Sequence, residues 1–366
     1  TVKNADANVS KLIVNGSNGG DFVAKESKLK IKFELNKTLK AVKVQILDID
    51  ERPVYTKTFS ECKGGKFYTV KWNGKDKKGK YAEEGWYKVR VILGTKKTDS
   101  EAIYFYRKNE FEGGDGSKAK PYKVSTRAQL EAVAKHNNRH FIQINDIDFE
   151  YDSFVSLFTF DAPFNGIYDG NNYSIKNIVN NNNVEHYGIF RALGKDGVIK
   201  NLIADGCSYK GNYRVGILVG FNWGMITNCI VQNCIVSSGK ADVGAVCGLS
   251  EGTIKECQTF NNAINGQYES AGSVCGWNTG VIRACTSNKD SIYATGNNVG
   301  GIAGANVGTI MDCIVKDDKI STGNYCVGGI TGYNKGIVNN CEVYDTQNLI
   351  NGNWSGGIIG QNEGSI

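Results

Sequence analysis

The sequence predicts an all-β chain in two parts: an antiparallel β-sandwich, then a parallel β-helix of 28-residue coils opened by a short capping helix. Three observations carry that expectation. The 366 residues hold 45 glycines and only 3 prolines, and Asn crowds the second half. Gly and Asn tolerate positive φ, so this mix suits strands joined by tight turns. The first hundred or so residues alternate polar and apolar side chains in short runs. From about residue 187 the same residue types return every 28 positions.

Residues 1–108 form the expected sandwich. Alternation is clear in Leu29–Phe33, Val42–Leu47, Tyr68–Trp72 and Tyr87–Leu93, with turn residues between them. Short strands punctuated in this way suggest an immunoglobulin-like module. The stretch WNGKDKKGKYAEEGWY, from Trp72 to Tyr87, is more specific. Trp72 and Tyr87 close and open strands that pack inward, and Gly74, Gly79 and Gly85 supply the turns between them. This stretch resembles the Ig-like domain of flagellar-hook capping proteins. The resemblance implies a spacer or terminal module of secreted proteins and does not imply flagella. Residues 1–110 carry 24 Lys/Arg against 14 Asp/Glu, net +10, while the rest carry 19 against 23, net −4. A basic module could favour anionic polymers or a cell wall. The plainer reading is a solubilised β-domain with Lys on its exposed strand faces.

Residues 109–120, NEFEGGDGSKAK, read as a linker or tight domain junction. Ser125 or Thr126 then opens a short helix, TRAQLEAVAKH, and Thr126 with Gln129 forms a capping-box signature. Leu130, Val133 and Ala134 form its apolar stripe. An open β-helix end exposes apolar surface and unpaired strand edges, so this stripe is expected to cover the N-terminal end of the solenoid. FIQINDIDF, at 141–149, reads as strand. Residues 121–186 therefore hold the capping helix and the opening coils.

Residues 187–366 are the repeats. Glycine columns begin at Gly216, Gly220 and Gly224, and an aliphatic column begins at Ile226. Cys229, Cys257, Cys285, Cys313 and Cys341 keep the same interval of 28. Tyr187 and Gly188 begin an earlier turn with a one-residue insertion before Gly197. A unit of this size cannot bury its own apolar face and must stack on its neighbours, about 4.8 Å apart. Columns then become ladders. Leu218/Val246/Val274/Ile302/Ile330/Ile358 and Val236/Ile264/Ile292/Ile320 are expected inside, with the Ile226 and Cys229 columns. Three short strands and three turns are expected per coil.

The segments GGIAGANVGTIMDC and GGITGYNKGIVNNC resemble the GLUG motif. PYKVSTRAQLEAVA and FNGIYDGNNYSIKNI resemble the stretch that commonly precedes such repeats. The resemblance implies a right-handed β-helix on bacterial surface proteins, among them adhesin-like proteins and the non-catalytic flanks of immunoglobulin A proteases. The chain begins without Met and stops in mid-pattern, so the repeats are expected to be truncated at the C-terminus, as a piece of a longer protein.

Eleven cysteines in a secreted chain would ordinarily suggest a disulfide framework. Their periodicity argues for another role. Parallel side chains about 4.8 Å apart do not match the Cβ separation of about 3.8 Å that a disulfide prefers. The Cys229 column is therefore read as a structural thiol ladder of small buried hydrophobes. Cys247 and Cys275, one coil apart, are read likewise. A single-file ladder supplies no tetrahedral metal cluster. Cys62, Cys207, Cys234 and Cys326 fall outside these columns and have no assigned place.

Two further sets are candidates for chemistry. Asp290 and Asp318 are 28 apart, as are Asp317 and Asp345. If these columns face outward, four carboxylates share one face and could bind Ca²⁺ or act as acid and base on a polysaccharide. The plainer reading is a solvated turn neutralised by Lys289, Lys316 and Lys319. Phe221, Trp277 and Tyr333 share a column, with Trp223 close by, and exposed aromatics can stack on sugars or anchor a protein. Leu249, Ala305 and Gln361 interrupt that column, and ordinary turn packing is the plainer reading.

No apolar run of 18 residues exists to span a membrane within this sequence. The three histidines form no H-E-x-x-H pattern, and neither a G-x-S-x-G elbow nor a phosphate loop occurs. No nucleic-acid motif interleaves aromatics with the Lys. The expectation is a monomeric, cofactor-free, extracellular surface segment. It would act as a stalk or adhesive face toward a host or matrix protein or glycan. The alternatives are a carbohydrate-active β-helix, or a scaffold beside a peptidase domain elsewhere.

Overall fold

The computed structural model describes residues 7–14, 22–23, 28–76, 78–79, 82–83, 85–100, 102–106, 110–181, 185–345 and 353–366. The chain divides into two compact units, Thr1–Asn109 and Glu110–Ile366.

The first unit is the expected sandwich. Strands β1 (Val9–Val14), β3 (Leu29–Leu35) and β6 (Phe67–Trp72) make one antiparallel sheet. The other has the order β2 (Phe22–Val23), β9 (Ile103–Tyr106), β7 (Gly85–Leu93), β4 (Leu39–Leu47), β5 (Pro53–Cys62), with β8 (Lys96–Asp99) also on β7. The four alternating runs lie within β3, β4, β6 and β7. Period two puts Leu29, Ile31, Phe33 and Leu35 fully inside, opposite Val42, Val44, Ile46, Val89 and Val91. Trp72 and Tyr87 pack together with ring centroids 5.9 Å apart. Their polar tips are satisfied locally: Trp72 Nε1 donates to Lys75 O, and Tyr87 OH to Glu83 O. Cys62 is buried in this core as a free thiol. Lys77, Lys80, Tyr81 and Glu84 of the Trp72–Tyr87 motif lie outside the described residues.

The second unit is a parallel β-solenoid. Each regular coil carries five short strands and not three. In one coil these are Val243–Gly244, Cys247–Ser250, Thr253–Lys255, Gln258–Phe260 and Ala263–Gly266, numbered here first to fifth. Each pairs in parallel with its counterparts above and below, giving five sheets. The reason for the extra strands lies in the corners. Asn228, Glu256, Ala284, Asp312 and Asn340 have φ of +50° to +56° and end the third strand of their coils. Asn233, Asn261, Lys289, Asp317 and Asp345, at +49° to +58°, end the fourth. A left-handed residue turns the chain within one position, so three-residue strands can follow one another with almost no loop.

The predicted ladders of Leu218, Ile226, Cys229 and Val236 lie in one continuous apolar core, except that Cys341 and Ile358 are partly buried and Ile366, last of the Ile226 column, is exposed. Glycine columns mark places where a side chain has no room. A Cβ at Gly248 would sit 2.2 Å from Arg214 C, and one at Gly304 2.5 Å from Ala271 N. The first and second strands of neighbouring coils cross in near contact there. The insertion near Gly197 is also seen. Tyr187 pairs with Val215, Leu193 with Asn222 and Val198 with Met225. Two residues are added after Leu193 and one is lost before Phe190, so the net gain is one.

The start of the solenoid differs from expectation in two ways. Residues 110–120, read as a linker, belong to this unit. Phe111 is buried and stacks on Tyr122 at 4.5 Å, and Glu112 N donates to Lys123 O. The helix α1 (Arg127–Ala132) is capped by Thr126, whose side chain accepts from Gln129 N. Gln129 Oε1 returns to Ser125 N, one residue earlier than a standard capping box. Leu130 and Val133 are buried as predicted, but Ala134 is exposed. The chain tightens into a 3₁₀ turn at Val133–Lys135, which carries Ala134 outward and leaves Ala132 on the covered side.

The glycine columns give a direct test. Gly304→Ala should lower the stability of the solenoid by about 1–3 kcal/mol, because backbone must move to admit the methyl group. Gly357→Ala, where a Cβ meets nothing within 4 Å, should change it by about 0.5 kcal/mol or less. Urea unfolding of the two variants, followed by circular dichroism, measures the contrast.

Candidate functional site

The four predicted carboxylates do not share a face. Asp317 and Asp345 are left-handed corner residues that point outward. Asp290 and Asp318 each follow such a corner and turn inward, fully buried. They belong to a column that contains Cys207, Cys234 and Asn262. Within it, each side chain accepts a backbone N–H from the coil before. Cys234 Sγ takes Cys207 N at 3.3 Å, Asn262 Oδ1 takes Cys234 N at 2.9 Å, Asp290 Oδ1 takes Asn262 N at 2.7 Å, and Asp318 Oδ1 takes Asp290 N at 2.9 Å. The Ser287 hydroxyl lies between Asp290 Oδ2 and Asp318 Oδ2. These carboxyl groups are backbone acceptors inside the coil. The Ca²⁺ and acid–base readings of the set lose their geometry. Among the described residues, no group of three or more His, Cys, Asp or Glu is placed to hold a metal.

Burial raises the carboxyl pKa of both residues, that of Asp318 to about 8, with Asp290 beside it adding to the rise. All eleven thiols are free. In the Cys229 column each Sγ donates to the carbonyl two residues back, from Cys229 to Thr227 O at 3.3 Å through Cys341 to Asn339 O at 3.3 Å. Burial pushes the thiols of Cys257 and Cys285 well up from their ordinary range.

One ladder has no counterpart in the sequence reading. Asn222 Nδ2 donates to Ser250 Oγ, then Asn278 to Asn306, Asn306 to Asn334 and Asn334 to Asn362, all at 2.7–2.9 Å. The signal was present as Asn at 28-residue intervals. The same amides also donate to backbone carbonyls, as Asn306 Nδ2 does to Gly308 O at 3.3 Å, so stacking and backbone together satisfy most of their polar atoms.

The aromatic column is real in register. Phe221, Leu249, Trp277, Ala305, Tyr333 and Gln361 pair in turn along the second sheet. Its members have different fates. Phe221 is covered by Trp223 at 4.3 Å, Phe160 at 5.3 Å and the Arg214 guanidinium at 5.0 Å. Trp223 also packs on Phe160, and its Nε1 donates to Glu251 Oε2. Phe221 is buried in this way, while Trp223 is half-buried beneath Phe160 at the surface. Trp277 and Tyr333 instead stay half-buried in an open trough of about 280 Å³. Its far wall comes from the first sheet, where Asn298, Cys326 and Trp354 pair in register. Tyr325 stacks obliquely on Trp354 at 5.6 Å, and these rings are 42% and 53% exposed. Asn297 and Gln361 complete the rim. Among the described residues no charged side chain lines the trough, although Glu363 at its edge accepts from Tyr333 OH and from Gln361 Nε2, each at 2.9 Å. Of the four aromatics predicted as ligand contacts, two therefore line it. Trp354, Cys326 and Asn298 share a 28-residue spacing that could have placed them.

Comparison with known proteins fits the two-unit description. Residues 17–97 match the FlgD Ig-like domain family, which accounts for the first unit alone. A protein named a Gly-rich membrane protein, from Evansella cellulosilytica, is 30% identical over 139 residues. That match covers 33% of this chain and 16% of the relative. Halomucin of Haloquadratum walsbyi is 27% identical over 162 residues, 40% of this chain and 2% of that protein. The chain thus spans a small part of either relative. A crystal structure of a candidate immunoglobulin A1 protease from Bacteroides ovatus superposes with a TM-score of 0.54. It is 20% identical and covers 70% of this chain and 86% of its own, a likeness of fold.

The buried carboxyl column predicts a pH dependence. A raised pKa means that the folded chain holds the proton more tightly than the unfolded chain does. The Asp318 contribution is whole below about pH 4 and is lost as pH rises through about 8. Asp318→Asn, which copies Asn262 two coils earlier, should flatten the fall in stability over that window by up to about 1.4 kcal/mol per pH unit. Chemical denaturation at a series of pH values reads the slope, and an unchanged slope would contradict the assignment.

Proposed function

We propose that this chain is a non-catalytic segment of an extracellular surface protein whose solenoid binds an extended, uncharged glycan along the aromatic trough. The open Trp277–Tyr333–Trp354 trough is the observation that carries this reading. Trp277 and Tyr333 stand two coils apart, about 9.6 Å, with Ala305 leaving a gap between them. Flat rings at that interval suit alternate sugar rings of an extended chain, and Asn297, Asn298 and Gln361 offer amides to the hydroxyls at the rim. The 28-residue units are read as GLUG-type repeats. Relatives named as a Gly-rich membrane protein and as halomucin support a surface setting. The first unit serves as the spacer. A polysaccharide-cleaving role has no support from the inward-turned Asp290 and Asp318.

A glycan array probed with the whole chain tests this reading. Binding to neutral, extended glycans is expected, with no new reducing ends after long incubation. Trp277→Ala and Tyr333→Ala each reproduce the Ala that the ladder already carries at 305, so the fold should hold. Each should weaken binding about tenfold or more, the scale of an interface hot spot. Glycan cleavage, or capture of a protein with no glycan bound, would overturn the proposal.

A further inference from the structure

A second cleft lies on another part of the solenoid, at the crease between the fourth and fifth sheets. Its volume is about 500 Å³. The repeat makes its construction readable. On the outer corner, Asn233 Nδ2 donates to Asp205 Oδ1 at 2.9 Å, and Asn261 Nδ2 to Asn233 Oδ1 at 2.9 Å. One coil later the amide ladder gives way to Lys289, whose ammonium lies 5.8 Å from the Phe260 ring centroid. On the adjoining strand, the position held by Ile235, Ala263 and Ser291 becomes Lys319. Both lysines line the cleft, and among the described residues neither forms an ion pair within 4 Å.

The charge balance of the cleft follows from the burial beneath it. Asp317 is its only lining carboxylate. Asp290 and Asp318 lie just inside the wall, and burial raises their pKa, that of Asp318 to about 8. The Asp318 carboxyl therefore keeps its proton near neutrality and does not cancel the ammonium groups outside. Lys289, Lys319 and Asp317 are the charged residues of the lining, with the Asn233 and Asn261 amides and the Ser291 hydroxyl spaced beside them. We propose that this cleft binds the anionic group, carboxylate or sulfate, of an acidic polysaccharide. Lys289 and Lys319 meet its charge, and Asn233, Asn261 and Ser291 meet its hydroxyls. Nucleic-acid strands are bound by bases stacking on open rings. No aromatic ring lines this cleft among the described residues, and nearby Phe260 already has Lys289 against it. The proposal is independent of the trough, which lies between the first and second sheets and has no charged residue in its lining.

The test is calorimetric titration of the whole chain with trigalacturonate and with a sulfated oligosaccharide of equal length, at low and at physiological salt. The double variant Lys289→Asn, Lys319→Ser takes the residues that the preceding coil uses at Asn261 and Ser291, so the corner should fold. The first unit carries its own excess of Lys, so the reading is the difference between parent and variant. At least one probe should lose about tenfold or more in affinity in the double variant, with a shallower salt dependence. Trp277→Ala should leave this binding unchanged. Loss with trigalacturonate alone assigns a carboxylate ligand, and loss with the sulfated probe alone assigns a sulfate. Equal binding by parent and double variant overturns the proposal, as does no binding at low salt. An acidic peptide of the same charge that binds this cleft more tightly than either sugar also overturns it.

Discussion

Every coil of the solenoid gives its peptide groups to the coil above and the coil below, and most of the unit follows from that one constraint. A strand of three residues has no local partner for its N–H and C=O groups. It is stable only in register with its counterparts in the neighbouring coils. Each side chain is then fixed beside the residue 28 positions away, about 4.8 Å along the axis. Identical neighbours at that spacing must tolerate one another. Aliphatic groups do so by packing, amides by donating to the next amide, and thiols by turning to a carbonyl of their own turn. A charged carboxylate cannot repeat in the interior without a proton, which is why Asp290 and Asp318 are raised toward the neutral form.

This constraint explains which parts of the fold were legible in the sequence. A column that repeats is visible as a period, so the Leu218, Ile226, Cys229 and Val236 ladders could be placed inside from spacing alone. The direction of a residue beside a corner could not. Asp317 and Asp318 are adjacent, yet a left-handed backbone at Asp317 sends one outward and the other inward. Nothing in a carboxylate's identity marks that choice. The same blindness hid the kinship of Cys207 and Cys234 with Asn262, because their side chains share only the ability to accept a hydrogen bond. The five strands per coil were missed because the corners use Glu256, Ala284 and Lys289 as well as Asn, so no single residue type announces them. Ala134 failed for a similar reason: a stripe drawn at helical spacing assumes a helix that continues, and this one tightens at Val133.

The candidate site was half legible. Exposed aromatics on a repeating strand pointed to Trp277 and Tyr333. They pointed equally to Phe221 and Trp223, whose rings close on Phe160 and Arg214. Phe160 comes from the opening coils, outside the regular repeat, so period alone could not reveal that cover. The far wall of the trough depends on how close the first and second sheets approach. The glycine columns set that approach by removing every Cβ that would hold the strands apart.

Variation in such a structure falls most freely where the repeat is broken on the outside. Interior columns resist change, because a substitution there must suit two neighbours at once and leaves their polar groups unpaired if it fails. Outward columns have no such tie. The second sheet varies from Phe221 to Leu249, Trp277, Ala305, Tyr333 and Gln361 without losing register. The outer corner runs Asn233, Asn261, Lys289, Asp317, and its backbone stays left-handed throughout. A lysine in place of an amide, or a tryptophan in place of a leucine, alters what the surface can hold at little cost to the ladder below. The interior columns keep the register of the ladder, and under the proposed function recognition would fall to the few outer positions that depart from the repeat.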